Sequence, residues 1–177
     1  MYFFHEAKNE NIEGESMGFD KLFELQKRLN ERIVREHHLE ERFLFEERIL
    51  ALLVELGELA NETRCFKYWS LKPPSKREII LEEYVDGLHF ILSVGLDLGI
   101  DSYNGSVHYS NERLVQQFLS IYEIIQKLRL SKETAHFEQL FSEYLGLGKL
   151  LGFSSEEIVD AYYRKNEINH IRQDEGY

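Results

Sequence analysis

Two pairs of carboxylates are the residues of this chain best suited to do chemistry. Glu55 and Glu58 form one pair, and Glu83 and Asp86 form the other. The partners are three residues apart, so on a helix each pair projects from one face. Apolar residues surround both pairs, and four carboxylates turned toward a bundle interior would repel one another. Oxygen ligands of this kind favour Mg²⁺ or Mn²⁺ over zinc. For either pair alone, the alternative is an ordinary solvated helix face.

A basic and aromatic segment, residues 64–77, separates the two acidic pairs. It carries five cations and no acid, in a chain whose net charge is −11. Lys67 and Lys72 would suit a polyphosphate, and the indole of Trp69 would offer a stacking face to a base. The alternative is that Trp69 anchors the core and the lysines are solvated. His89 lies on the face of Asp86, where it is either a satisfied core histidine or a substrate contact.

Helical periodicity dominates the elements that must position these residues. The pattern predicts a first helix behind an Asp20 cap, then helices over about 40–64, 75–99, 110–129, 131–151 and 154–172. Ser75 with Glu78 and Ser154 with Glu157 have the spacing of capping boxes. No segment reads as a convincing strand, so we predict an all-α bundle of about six helices. Residues 1–18 are expected to form a flexible N-terminal arm, and 19–177 a single catalytic domain.

Composition restricts the classes of partner. The chain has 177 residues, with 21 Lys and Arg against 32 Asp and Glu. Because nucleic-acid affinity depends largely on cations that neutralise phosphates, we expect no nucleic-acid partner. No apolar run is long enough to cross a bilayer, so we expect no membrane partner. The single cysteine, Cys65, fits a reducing compartment, and we predict a cytoplasmic protein.

Two sequence segments carry a resemblance to a known family. ELGELANETRCFKYWS, residues 55–70, followed by EEYVDGLHF, residues 82–90, resembles the dimeric, all-α dUTPases, which belong to the MazG-like all-α NTP pyrophosphohydrolases. The shared pattern is ExxE followed one helix later by ExxD. KYWS, DGLHF and the upstream LQKRLN, residues 25–30, narrow the resemblance to the dUTPase branch. It extends from about Asp20 to the C terminus.

The resemblance implies roles for individual residues. Glu55, Glu58, Glu83 and Asp86 match the ligands of two or more Mg²⁺ ions, for which Mn²⁺ is a possible substitute, and Glu55 and Glu58 are the expected catalytic residues. The residues that match substrate contacts are, for the base and nucleoside, Gln26, Asn30, Trp69 and His89, and for the phosphates and sugar, Lys165, Asn169 and Arg172.

The implied activity is dUTP diphosphatase: Mg²⁺-dependent hydrolysis of dUTP to dUMP and pyrophosphate by a homodimer, which limits uracil incorporation into DNA. Attack at the β-phosphorus, as the family suggests, would also allow dUDP as a substrate. Two alternatives stay open. One is a related pyrophosphatase for another nucleotide, such as dCTP or a modified one. The other is a non-enzymatic, metal-binding helical interaction protein.

Overall fold

The computed structural model describes residues 16–103, 105 and 113–176, and this part of the chain is all-helical. Its six helices are α1 (Ser16–Glu36), α2 (Phe45–Thr63), α3 (Arg77–Asp97), α4 (Leu114–Ser131), α5 (Thr134–Leu150) and α6 (Ser155–Asp174), and the described residues contain no strand. The prediction of an all-α bundle of about six helices is confirmed.

Helix α3 is the centre of the bundle and packs against α1, α2, α5 and α6. Its side chains are buried on most of its circumference, as expected of a central helix. Arg48 near the start of α2 pairs with Asp97 at the end of α3. At the opposite end, the backbone N–H of Ser75 donates to the carbonyl of Glu62 at 3.0 Å. Helices α2 and α3, which carry the two acidic pairs, therefore run antiparallel.

A reciprocal pair of buried tyrosines joins α3 to α5. The rings of Tyr84 and Tyr144 stack with centroids 4.7 Å apart. Tyr84 donates to the carbonyl of Tyr144 at 3.0 Å, and Tyr144 donates to that of Tyr84 at 2.7 Å. Each ring lies over a glycine of the opposite helix, Gly87 beneath Tyr144 and Gly148 beneath Tyr84. Because Gly87 follows Asp86 directly, this contact sets the position of the second acidic pair relative to the core.

The helix ends agree in part with the predicted caps. Ser154 accepts from the backbone N–H of Glu157 at 3.2 Å in a full capping box, as predicted. Ser75 does not cap α3, since its hydroxyl donates to the carboxylate of Glu62 and the helix begins at Arg77. Helix α1 begins at Ser16 rather than behind Asp20, because buried Phe19 extends its apolar stripe by one turn.

Two predicted segment boundaries, those of the N-terminal arm and of the fourth helix, fall at the edge of the described residues. Of the predicted N-terminal arm, residues 1–15 lie outside them, and residues 16–18 begin α1. The predicted start of the fourth helix, residues 110–112, also lies outside them. Within the described part of the chain, no helix combines the length and the apolar character needed to cross a membrane.

Candidate active site

Three carboxylates of α2 and α3 converge at the surface of the bundle. Glu55, Glu58 and Glu83 each place one oxygen within 4.8 Å of the others. Glu55 and Glu83 are half-buried and Glu58 is exposed, so the cluster opens to solvent on one side. The antiparallel pairing of α2 and α3 brings ExxE of the first helix opposite ExxD of the second. We call these three residues the carboxylate cluster.

Asp86, the fourth predicted ligand, borders the cluster but is bound to a cation. Lys165 of α6 donates to its carboxylate at 2.7 Å and to that of Glu82 at 3.0 Å. The side chain of Lys165 is 10% exposed, and that of Asp86 is 19% exposed. Burial nevertheless raises the pKa of Asp86, against the opposing effect of Lys165. The ion pair attaches α6 to the acidic face of α3.

Crowding of negative charge perturbs the cluster. Burial raises the pKa of Glu55 to about 7, and Asp86, Glu58 and Glu83 add to the shift through repulsion. Burial likewise raises the pKa of Glu83, with Asp86, Glu58 and Glu62 contributing. Lys165 lowers both values but does not restore them to the ordinary range. The metal-free cluster therefore carries more negative charge than its neighbours neutralise.

This charge predicts a pH dependence of stability. Glu55 binds its proton more tightly in the folded than in the unfolded chain, so between about pH 4.5 and 7 the folded state holds more protons. The free energy of unfolding of the metal-free protein should therefore fall as the pH rises through this window. We expect urea unfolding of Glu55→Gln to show a weaker pH dependence than wild type, and wild type to regain stability at pH 8 when Mg²⁺ is added. If the free energy of unfolding depended on pH equally in the two proteins, a raised pKa of Glu55 would be contradicted.

The donor set of the cluster fits a divalent metal ion. Its ligand atoms are carboxylate oxygens within reach of a single ion, and their mutual repulsion is what a hard cation would relieve. Mg²⁺ and Mn²⁺ both prefer such oxygen ligands. Glu55, Glu58 and Glu83 could hold such an ion directly, and Asp86 could join them once Lys165 releases it.

A cavity of about 470 Å³ adjoins the cluster and is lined by α1, α2, α3 and α6. Glu55 and Asp86 form part of its wall, so the acidic site and the cavity are continuous. The volume is in the range of small-molecule pockets. Of the predicted substrate contacts, six line this cavity: Gln26, Asn30, His89, Lys165, Asn169 and Arg172.

Hydrogen bonds join the polar residues at the α1–α3 end of the cavity. Gln26, which is 3% exposed, contacts Nδ1 of His89 and the hydroxyl of Tyr162 through its side-chain oxygen, both at 2.7 Å. Its amide nitrogen donates to Asn30 at 2.9 Å. Burial lowers the pKa of His89 to about 3, so the imidazole is neutral. His89 is a core histidine whose Nδ1 has a hydrogen-bond partner, but its buried Nε2 has none among the described residues.

The predicted contacts on the link between α2 and α3 lie elsewhere. Trp69 is 64% exposed and packs edge-on against Phe66 and Tyr68, outside the cavity lining. Lys67 donates to Asn61, and Lys72 is exposed. That Trp69 stacks on a base and that the two lysines meet phosphates stay predictions.

Several cavity residues have no signal in the sequence that marks them. Arg48 and Ser93 line the cavity, and Tyr162 supports it from α6. In the sequence, Arg48 looks like an ordinary surface cation, Ser93 lies in an apolar helix and Tyr162 lies in a polar one. Their significance depends on partners more than 45 residues away, as with Arg48 and Asp97, which are 49 residues apart.

The fold and the site together define a class. The described helices place an acidic cluster beside a cavity whose volume is in the range of small-molecule pockets. A family model described as dUTPase matches residues 18–177, which is nearly the whole chain. The chain therefore belongs to the all-α dUTPase family and is a hydrolase of acid anhydrides that acts on dUTP. A comparison with curated proteins gives no match.

Proposed function

We propose that this dUTPase hydrolyses dUTP to dUMP and pyrophosphate with Mg²⁺ held by Glu55, Glu58, Glu83 and Asp86. The observation that carries the proposal is the continuity of the carboxylate cluster with the cavity, through Glu55 and Asp86. This arrangement would place the phosphates of a nucleotide at the cluster and its base in the cavity. Two or more ions are proposed, since four carboxylates exceed what one ion needs alongside substrate oxygens.

The residues of the cluster and of α6 divide the chemistry. Bound Mg²⁺ would supply neutralisation of the phosphate oxygens and a lowered pKa for a coordinated water. Glu55 is suited to hold or deprotonate the attacking water, because it belongs to the carboxylate cluster and also lines the cavity. Lys165 and Arg172 line the same cavity and are suited to hold phosphate oxygens. Lys165 would leave Asp86 as the metal binds and turn its ammonium group to the phosphates.

Isotope placement tests which phosphorus is attacked. We propose attack at the β-phosphorus, so hydrolysis of dUTP in ¹⁸O-labelled water should put the label into pyrophosphate and none into dUMP. The same route makes dUDP a substrate, with the label in the released phosphate. Label in dUMP would contradict this route and would restrict the enzyme to attack at the α-phosphorus. Omission of Mg²⁺ should abolish both reactions.

We propose that the protein is a homodimer. Leu50 and Val54 are 63% and 50% exposed on one stripe of α2, which continues to Glu58 of the cluster. An apolar stripe of this kind is typical of a surface that a partner covers. Light scattering at micromolar concentration should give a dimeric mass, and Val54→Glu should lower it. A monomeric mass for wild type would contradict the proposal.

The setting that we propose is the cytoplasm, where hydrolysis of dUTP would limit uracil incorporation into DNA. The chain has one cysteine, Cys65, in keeping with a reducing compartment. Its net charge of −11 disfavours direct binding to nucleic acid, and the nucleotide substrate is the proposed partner besides the second subunit.

A further inference from the structure

A chain of hydrogen bonds crosses the inner end of the cavity and links five side chains. The side-chain oxygen of Gln26 lies 2.7 Å from the hydroxyl of Tyr162 and 2.7 Å from Nδ1 of His89. The amide nitrogen of Gln26 lies 2.9 Å from the side-chain oxygen of Asn30, which is 3.1 Å from the hydroxyl of Ser93. Each contact needs one donor and one acceptor, so the orientation of one amide dictates that of the next.

Two orientations of this chain are internally consistent. In the forward orientation, which the structure has, Gln26 accepts from Tyr162 and from Nδ1–H of His89, and donates to Asn30. In the reversed orientation both amides are flipped: Gln26 donates toward Tyr162 and toward a bare Nδ1 of His89, and accepts from Asn30. The neutral imidazole carries one proton, so the two orientations correspond to its two tautomers.

The two orientations offer opposite groups to a base. In the forward orientation, Nε2 of His89 is a bare acceptor, buried and without a partner among the described residues, and Asn30 has amide hydrogens to donate. This acceptor and donor match the N3–H and a carbonyl of uracil. In the reversed orientation, Nε2–H is a donor and Asn30 presents its oxygen, which match N3 and the amino group of cytosine.

The hydroxyl of Tyr162 favours the forward orientation. A distance of 2.7 Å to Gln26 is typical of an O–H donor and short for an N–H donor. In the reversed orientation this hydroxyl would lose Gln26 as its acceptor and would donate to the carbonyl of Leu22, which is 3.4 Å away, or to the side chain of Asn166, which also hydrogen-bonds Tyr162. The hydroxyl of Ser93 favours the reversed orientation. It has a single proton, which it can donate to the carbonyl of His89 at 2.9 Å only when the amide of Asn30 faces it as a donor.

We propose that Tyr162 is a positioning residue that holds the cavity in its uracil-reading orientation by donating its hydroxyl proton to Gln26. The inference rests on the proposed placement of the base in this cavity. Tyr162 also stacks on His89, with ring centroids 4.1 Å apart and planes 19° apart, so it controls both the position and the tautomer of the imidazole. It belongs neither to the carboxylate cluster nor to the residues that line the cavity, and its effect reaches the base through Gln26, His89 and Asn30.

Tyr162→Phe tests the proposal, because it retains the stacked ring and removes only the hydroxyl. We expect the ratio of kcat/KM for dUTP to that for dCTP to fall by about tenfold or more, mainly through a raised KM for dUTP. Ser93→Ala is the matched control, since it removes the hydroxyl that favours reversal, and its ratio should equal or exceed that of wild type. A ratio for Tyr162→Phe within about twofold of wild type would overturn the role of Tyr162.

The tautomer of His89 gives a readout that does not depend on turnover. Nitrogen-15 spectra of the imidazoles, with His89 assigned by its loss in His89→Gln, should show the proton on Nδ1 in wild type and its transfer toward Nε2 in Tyr162→Phe. A proton on Nε2 in wild type would overturn the proposal even if the variant failed to fold. A wild-type enzyme that turned over dUTP and dCTP equally would instead overturn the placement of the base, on which the inference rests.

Discussion

Glu58→Gln should lower dUTP turnover by about a thousandfold or more, while the protein stays folded. The substitution keeps the shape of the side chain and removes one of three carboxylates whose oxygens lie within 4.8 Å of each other. Metal ions contribute several kcal/mol of transition-state stabilisation in phosphoryl chemistry, and losing a ligand charge forfeits much of it. Steady-state pyrophosphate release measures the loss of activity, and calorimetric titration with Mg²⁺ measures the expected loss of metal affinity.

The matched control for this prediction is Glu78→Gln. Glu78 is an exposed carboxylate in the first turn of α3, outside the cluster and the cavity lining. Glu78→Gln changes the net charge of the protein by the same amount as Glu58→Gln. Because Glu78 lies outside the cluster, this variant should retain nearly full activity and metal affinity. If Glu58→Gln and Glu78→Gln had equal activity, the cluster would not be the catalytic centre, and the interpretation as a non-enzymatic metal-binding protein would gain support.

Gly87→Ala should destabilise the fold by about 2–3 kcal/mol, the upper part of the usual range for overpacking a core. A Cβ at this position would collide with the hydroxyl of Tyr144 and lie 3.1 Å from its Cζ. Tyr144 cannot yield easily, because it is buried and its hydroxyl is held by the carbonyl of Tyr84. We expect a Tm lowered by about 5–10 °C in thermal unfolding.

Two further variants separate this collision from a general effect of alanine. Gly57 lies within the first acidic pair, directly before Glu58, and there a Cβ would meet only the hydroxyl of Tyr122 at 3.3 Å. Gly57→Ala should stay within about 1 kcal/mol of wild type, since the gain in helix propensity offsets a small adjustment. Adding Tyr144→Phe to Gly87→Ala should recover part of the loss. A Tm for Gly87→Ala equal to that of wild type would contradict the packing argument.

The sequence predicts which face of each helix carries an acidic pair, because that geometry is local, and the function of the pairs as metal ligands stays a prediction. A spacing of three residues within α2 and within α3 is enough to put each acidic pair on one face of its helix. Two such pairs on consecutive helices then suggest a metal site. The capping box of Ser154 and Glu157 was predictable for the same reason. The failed prediction for Ser75 shows the limit: its hydroxyl had a competing partner, Glu62, 13 residues upstream in the chain.

The cavity could not be predicted from spacing, because its walls come from helices far apart in the chain. Lys165 meets Asp86 across 79 residues, and Tyr162 meets Gln26 across 136. Family resemblance, and no local pattern, suggested Gln26 and Asn30, whereas the spacing from Asp86 already marked His89 as a possible substrate contact. The aromatic segment and the resemblance both suggested Trp69, which the structure places outside the cavity. The orientation of the amides and the tautomer of His89 emerge only when every donor is matched to an acceptor.

Pyrophosphate release from a panel of nucleotides tests the central claim most directly. The purified protein would be incubated with dUTP, dCTP, dTTP, dATP and dGTP in turn, each with Mg²⁺ and with EDTA. We predict rapid release from dUTP in Mg²⁺, at least about a hundredfold slower release from the other nucleotides, and none in EDTA. Release from dUTP that persisted in EDTA would contradict the metal site at the carboxylate cluster, and preference for another nucleotide would contradict the uracil-reading cavity.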